Sequence, residues 1–169
     1  MTKDKKEGHL PLIGVGPYYG VVIFIMSLLA VIFRNTPILS SGKIPWLKVP
    51  FLIIGGILII LGIYIWILAV FVAKLEKNIK ENQLATTGIY AWVRNPIYTA
   101  LMFACTGIVI GAGNVYFFFL PFFYWFYMTI LMINTEEKWL RDLYGHEYEE
   151  YCKKVNRCIP FPPKRNKNL

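Results

Sequence analysis

Charge is segregated along this chain of 169 residues, and the segregation constrains the fold more than any other feature. All ten acidic residues fall within residues 4–7, 76–81 or 136–150. The long apolar runs contain none of them. An ionised side chain at the centre of a bilayer costs several kcal/mol, so a chain that crosses membranes keeps its charges at the ends of its spans. Composition agrees. Apolar residues make up 56% of the chain and mean hydropathy is +0.48, which excludes an ordinary soluble domain of this size.

A helix needs about 20 apolar residues to cross the hydrocarbon, within a range of roughly 17–25. Four segments meet or approach that length: 17–33, 49–73, 97–110 and 115–133. The expected fold is therefore all-α: an integral membrane protein with about four transmembrane helices, five being the alternative, and a cytosolic amphipathic C-terminal helix, in a single domain over 1–169. The third segment is short. The Gly-Ala-Gly-Asn link at 111–114 makes it one arm of a tight helical hairpin. Pro121 predicts a kink in the fourth span. The first span follows a lysine-rich start without a small-residue cleavage site, and is expected to be a retained anchor.

Lysine and arginine orient the spans. With four crossings, the N-terminal residues, the 74–96 loop and the tail share one side, which carries fifteen of the eighteen basic residues. The remaining three, Arg34, Lys43 and Lys48, lie on the other side. The positive-inside rule then puts both termini and the 74–96 loop in the cytoplasm. The net charge of +8 sits at that membrane surface, where it suits anionic head groups rather than nucleic acid. Cys105, Cys152 and Cys158 form no CxxC pair and have no histidine near them, so neither a metal site nor a disulfide framework is indicated. His9 and His146 lie in polar ends and read as solvated residues.

Two polar islands remain. The first is Gly88-Ile-Tyr-Ala-Trp-Val-Arg-Asn-Pro-Ile-Tyr98. Gly88 after Thr86-Thr87 predicts a turn. Asn95 is a strong N-cap residue and Pro96 is favoured at the first helical position, so together they open the third span. The backbone N–H groups of that helix start suit a carboxylate. Tyr90, Trp92 and Tyr98 serve equally as interfacial anchors.

The second island is Glu136-Glu137. At helical spacing Glu137 pairs with Arg141 on the surface. Glu136 shares a face with Trp139, Leu140 and Leu143, and a carboxylate on an apolar face needs a partner. Arg94 would supply a salt bridge; a bound cationic ligand is the other option. Residues 146–155 form an amphipathic helix, with Tyr148, Tyr151, Cys152 and Val155 on one face. Glu149–Lys153 and Glu150–Lys154 pair on the other face, and Ile159-Pro-Phe-Pro-Pro163 ends the segment. It would lie at the interface as a lid or an anchor.

In this order, from Leu84 to Phe161, these residues resemble the isoprenylcysteine carboxyl methyltransferase family of membrane methyltransferases. The matching pieces are Leu84 to Tyr98, a helical hairpin, Glu136-Glu137, Leu143 to Tyr151, and Ile159-Pro-Phe161. The resemblance implies an enzyme using S-adenosylmethionine, with residues 74–96 and 134–163 as cytosolic cofactor-binding elements and an acceptor that arrives from the lipid. It assigns cofactor contacts to Tyr90, Asn95, Pro96, Tyr98 and Glu136, with Leu84 and Ala85 lining the site. The family usually carries histidine where Asn95 stands. Asn-Pro-x-Tyr followed by Glu-Glu is also similar to phosphatidylethanolamine N-methyltransferases. Animal members place a substrate-binding arginine near the position of Met132, whereas this chain has no basic residue between 115 and 137. That leaves Arg94 to orient a carboxylate acceptor, and Glu137 or Tyr98 to take the proton from an amine acceptor.

The expected function is methyl transfer to a lipid-like or lipidated acceptor, by carboxyl O-methylation of the isoprenylcysteine type or by phospholipid N-methylation. The reading from another class is a non-enzymatic membrane scaffold subunit, whose islands are only anchors, caps and salt bridges.

Overall fold

The computed structural model describes residues 14–72 and 83–162. Every element of length among them is helical: α1 (Gly16–Phe33), α2 (Pro37–Ser40), α3 (Lys48–Ile67), α4 (Pro96–Gly111), α5 (Leu120–Asn134), α6 (Glu136–Tyr144) and α7 (His146–Lys154). A π turn over Leu68–Val72 extends α3, and 3₁₀ turns cover Pro45–Leu47, Gly88–Ala91 and Val115–Phe119. The lysines and glutamates of 74–81 lie outside the described residues, as do the N-terminal lysines and His9.

Three stretches are long and apolar enough to cross a membrane: Gly16–Phe33, Pro45–Val72 and Val115–Tyr144. In the last, the apolar pass ends at Asn134, and the charged α6 lies beyond it. Most side chains of α1, α3 and α5 face outward and are apolar, Phe24, Ile60 and Phe122 among them. In water such a surface would drive aggregation, whereas in lipid it is the expected exterior. This is an integral membrane protein.

The short α4 has a different role. Its 16 residues rise about 24 Å, less than a hydrocarbon core of roughly 30 Å. Half of its side chains are buried, Tyr98, Thr99, Met102, Cys105 and Val109 among them. It is the central helix, with α1, α3 and α5 packed around it, so its own length need not match the lipid. Small residues let α3 approach it closely. A Cβ built on Gly55 would lie 2.5 Å from the Gly107 carbonyl oxygen, and one on Gly62 would lie 2.7 Å from that of Ala100. Without water to drive association, such close van der Waals packing holds membrane helices together. Polar groups between spans are paired: the Ser27 and Tyr124 hydroxyls are 2.7 Å apart, and Tyr19 donates to the Tyr124 carbonyl at 3.1 Å.

The loops confirm the pairing of ends. At one end the Gly113 carbonyl accepts from Ile44 at 3.1 Å, and Val115 donates to Gly42 at 2.9 Å. Asn114 is fully buried there. It donates to Leu39 at 2.6 Å and accepts from the Tyr116 N–H at 3.0 Å. At the other end meet the start of α1, residues 83–95, α6, α7 and the segment 155–162. Pro121 makes no mid-span kink. It sits in the first turn of α5, directly after the 3₁₀ turn Val115–Phe119, where a missing N–H costs nothing.

Candidate active site

The second end of the bundle collects nearly all of the polar island residues. Gly88 opens the 3₁₀ turn with φ +61, a conformation that disfavours side chains. Pro96 occupies the first turn of α4 as expected. Asn95 does not cap that turn with its side chain. Its amide donates instead to the Arg157 carbonyl at 3.2 Å. The first turn of α4 therefore keeps its backbone donors free of a side-chain cap.

Glu136 is the centre of one half of the site. It begins α6, is half-buried, and its Oε1 accepts from two donors: the Tyr98 hydroxyl, and the Val15 N–H at 3.0 Å. Burial pushes its carboxyl above the usual range, while the hydrogen bonds from Tyr98 and Val15 pull it back. Tyr90 is buried, and burial raises its phenol, with Tyr151 and the nearby Glu136 charge adding to the effect.

Glu137 lies where the sequence did not place it. Only 2% of its side chain is exposed, and it does not pair with Arg141. Arg157 grips it with two bonds, Nε to Oε1 at 2.6 Å and Nη2 to Oε2 at 3.0 Å. Arg94 Nη2 lies 3.3 Å from Oε1 and is itself 9% exposed. Arg94 therefore bridges to Glu137 and not to Glu136. The cause is local. Thr135 adopts φ −126, ψ −93, which breaks the helix between α5 and α6 and turns the Glu137–Leu140–Tyr144 face inward. The face through Glu136, Trp139, Leu140 and Leu143 is not the inward one: Trp139 is exposed, whereas Glu137 is buried beside Leu140 and Tyr144. Glu137 also holds the Arg157 guanidinium above its ordinary range.

The tail is stitched onto the 90–99 region. Arg94 N–H donates to Asn156 at 2.8 Å, Phe161 N–H to Trp92 at 3.2 Å, and the Tyr151 hydroxyl to Tyr90 at 2.6 Å. The Thr99 hydroxyl donates to Cys158 at 2.8 Å, and Arg94 Nη1 contacts the Cys152 sulfur. The apolar face of α7 packs inward. Tyr148, Tyr151 and Val155 cluster with Leu84, Leu140 and Tyr144, so this helix is a packed wall of the site. On its outer face Glu150 pairs with Lys153 at 2.6 Å and His146 at 3.7 Å, in place of the expected Lys154.

Of the residues named from sequence, the structure joins Tyr98 to Glu136 and Arg94 to Glu137. Asn95 and Tyr90 are tied to the tail, and Leu84 packs beside α7. Ala85 is half-buried in the same segment. Sequence reasoning missed Arg157, one cation in a basic tail, and Val15, whose contribution is a backbone N–H that any residue but proline could supply. Among the described residues, no cluster of metal-ligating side chains occurs.

A family model described as phospholipid methyltransferase matches residues 50–147, more than half of the chain, and the chain belongs to that family. Its curated relatives include the protein-S-isoprenylcysteine O-methyltransferase of Schizosaccharomyces pombe, 36% identical over 89 residues, which cover 52% of this chain and 37% of that protein. The protein of the same name from Saccharomyces cerevisiae is 31% identical over 116 residues, 64% of this chain and 48% of that one. These relatives support the resemblance to isoprenylcysteine carboxyl methyltransferases drawn from the motifs. A mouse delta(14)-sterol reductase is 33% identical over 86 residues, 47% of this chain and 20% of its own length. The chain thus spans less than half the length of each of these relatives. No solved structure matches it.

Proposed function

We propose that the chain is an S-adenosylmethionine-dependent methyltransferase acting on a lipid-like acceptor, by carboxyl O-methylation of the isoprenylcysteine type. One observation carries the reading: a half-buried carboxylate, Glu136, held through one oxygen by donors from α1 and α4 at the membrane end of the bundle. The residues present fit the cofactor. Glu136 suits its ammonium, the uncapped first turn of α4 suits its carboxylate, and Tyr90 and Tyr98 supply aromatic walls. When bound, S-adenosylmethionine supplies an electrophilic methyl group on a sulfonium. The protein's part is to align that group with the acceptor and to exclude water, work suited to the tail and α7 packed over the 90–99 region.

Arg94, Glu137 and Arg157 together carry one net positive charge. That residual charge attracts a carboxylate acceptor and disfavours a protonated amine, which supports O-methylation. Both carboxylate oxygens of Glu137 are engaged by arginines, so its role is to fix Arg94 and the tail. Phospholipid N-methylation is the second reading, supported by the description of the family model.

The site end, with its basic excess, is assigned to the cytoplasm. Radiolabelled methyl transfer to a prenylated cysteine and to extracted phospholipids tests the reading. Alkali should release the label as methanol from the prenylated cysteine. Label found only in alkali-stable lipid amines would overturn the O-methylation reading. No transfer to either acceptor, with no cofactor binding, would favour a scaffold subunit.

A further inference from the structure

We infer that the start of α1 belongs to the cofactor site, with Gly14 and the backbone N–H of Val15 acting as positioning elements for the Glu136 carboxylate. The inference rests on the reading of Glu136 as the cofactor's carboxylate partner, and extends the site to residues that precede the family match at 50–147.

Val15 precedes α1, and its carbonyl accepts the first helical bond, from Tyr19 at 3.1 Å. Its own N–H has no place in the helical ladder and ordinarily goes to water or a cap. Here it reaches Glu136 Oε1 at 3.0 Å, across 121 residues of sequence. The Tyr98 hydroxyl donates to the same oxygen. Two spans, α1 and α4, therefore meet on one atom of α6. Both donors favour the ionised carboxylate, opposing the burial that would neutralise it. With Oε1 fixed, rotation of the carboxylate is arrested and the direction of Oε2 is set for a cationic group.

The glycine beside Val15 makes room for this. A Cβ on Gly14 would collide with Oε1 of Glu136, and one on Gly16 would lie 3.4 Å from the Tyr98 hydroxyl. Gly14 does not occupy the left-handed region, so backbone conformation alone does not demand glycine there. The close carboxylate does.

Calorimetric titration with S-adenosylhomocysteine tests the proposal in the full chain. Val15 has φ −78, which proline accepts, so Val15→Pro keeps the backbone conformation, removes the donor and sets the ring Cδ against Glu136 Oε1 in its place. Its affinity should fall about tenfold or more, the scale of a hydrogen bond to a charged group. Val15→Ala, the conservative change that keeps the N–H, should restore it. Gly14→Ala keeps every backbone donor and should also weaken binding by displacing the carboxylate; it is the second variant should Val15→Pro fail to fold. In turnover, the loss should fall on KM for the cofactor with KM for the acceptor unchanged, which general loosening of the bundle would not produce. Wild-type affinity in Val15→Pro and Gly14→Ala overturns the proposal, as does Val15→Ala failing equally with Val15→Pro. No binding by the wild-type chain would instead sink the cofactor reading beneath it.

Discussion

Replacing Glu137 with glutamine removes one negative charge from between two guanidinium groups and changes the shape of the side chain very little. The consequence follows from burial. Glu137 is 2% exposed and Arg94 9% exposed, so water cannot replace the lost partner of Arg94. Arg157 is 27% exposed and can recover part of its hydration, so its share is discounted. Breaking a buried ion pair by removing one partner costs about 3–5 kcal/mol, against a typical domain stability of about 5–15 kcal/mol. Glutamine retains one acceptor oxygen, which places the expected loss near the lower bound, about 3 kcal/mol. The same change at a surface carboxylate paired with Arg141 would cost well under about 1 kcal/mol. Thermal unfolding of the purified protein in detergent reads the difference. The double variant Arg94→Met, Glu137→Met should recover the share of the loss that Arg94 accounts for, because only Arg157, which can rehydrate, is then left without its partner. An unfolding midpoint for Glu137→Gln equal to that of wild type would refute the buried triad.

Other outcomes follow from other parts of the molecule. Gly107→Val should destabilise the bundle by about 1–3 kcal/mol or more, because its Cβ would meet the Gly55 carbonyl, whereas Gly56→Ala, with nothing within 4 Å, should be near neutral; thermal unfolding separates them. Asn114→Ala should cost about 1–3 kcal/mol through its lost bonds to Leu39 and Tyr116 while leaving S-adenosylhomocysteine affinity intact, since it lies at the opposite end of the bundle. Cysteines introduced at Ser41 and Glu149 should react with impermeant reagent from opposite sides of the membrane; labelling from one side would contradict the four-pass arrangement. Because burial raises the Glu136 carboxyl and a cationic ligand prefers it ionised, S-adenosylhomocysteine affinity should fall with falling pH, and should begin to do so above the usual carboxylate range; a flat profile in titrations would contradict the assignment.

The spans were legible in the sequence because hydrocarbon thickness sets their length. The segment expected at 17–33 is α1, Gly16–Phe33, and the hairpin at 111–114 turns where glycine and asparagine allow it. The pairing of ends was legible too, since charges cannot lie within the spans. The facing of Glu136 and Glu137 was not. Leu140 lies one turn from both carboxylates, so the pattern over 136–143 does not choose between them, and the cation that draws Glu137 inward, Arg157, stands twenty residues on. Asn95 failed as a cap for a different reason: its amide is claimed by the Arg157 carbonyl, 62 residues away, and local propensity does not register so distant a partner. Val15 contributes only a main-chain donor, which no sequence pattern reveals.

The central claim is that Glu136 holds a cationic methyl donor at the end of this bundle. Titration of the detergent-purified protein with S-adenosylhomocysteine, alongside Glu136→Gln, tests it most directly. Saturable one-to-one binding by the wild type, lost in Glu136→Gln while the unfolding midpoint is retained, is the predicted result. Equal binding by both proteins, or no binding by the wild type, would contradict the claim.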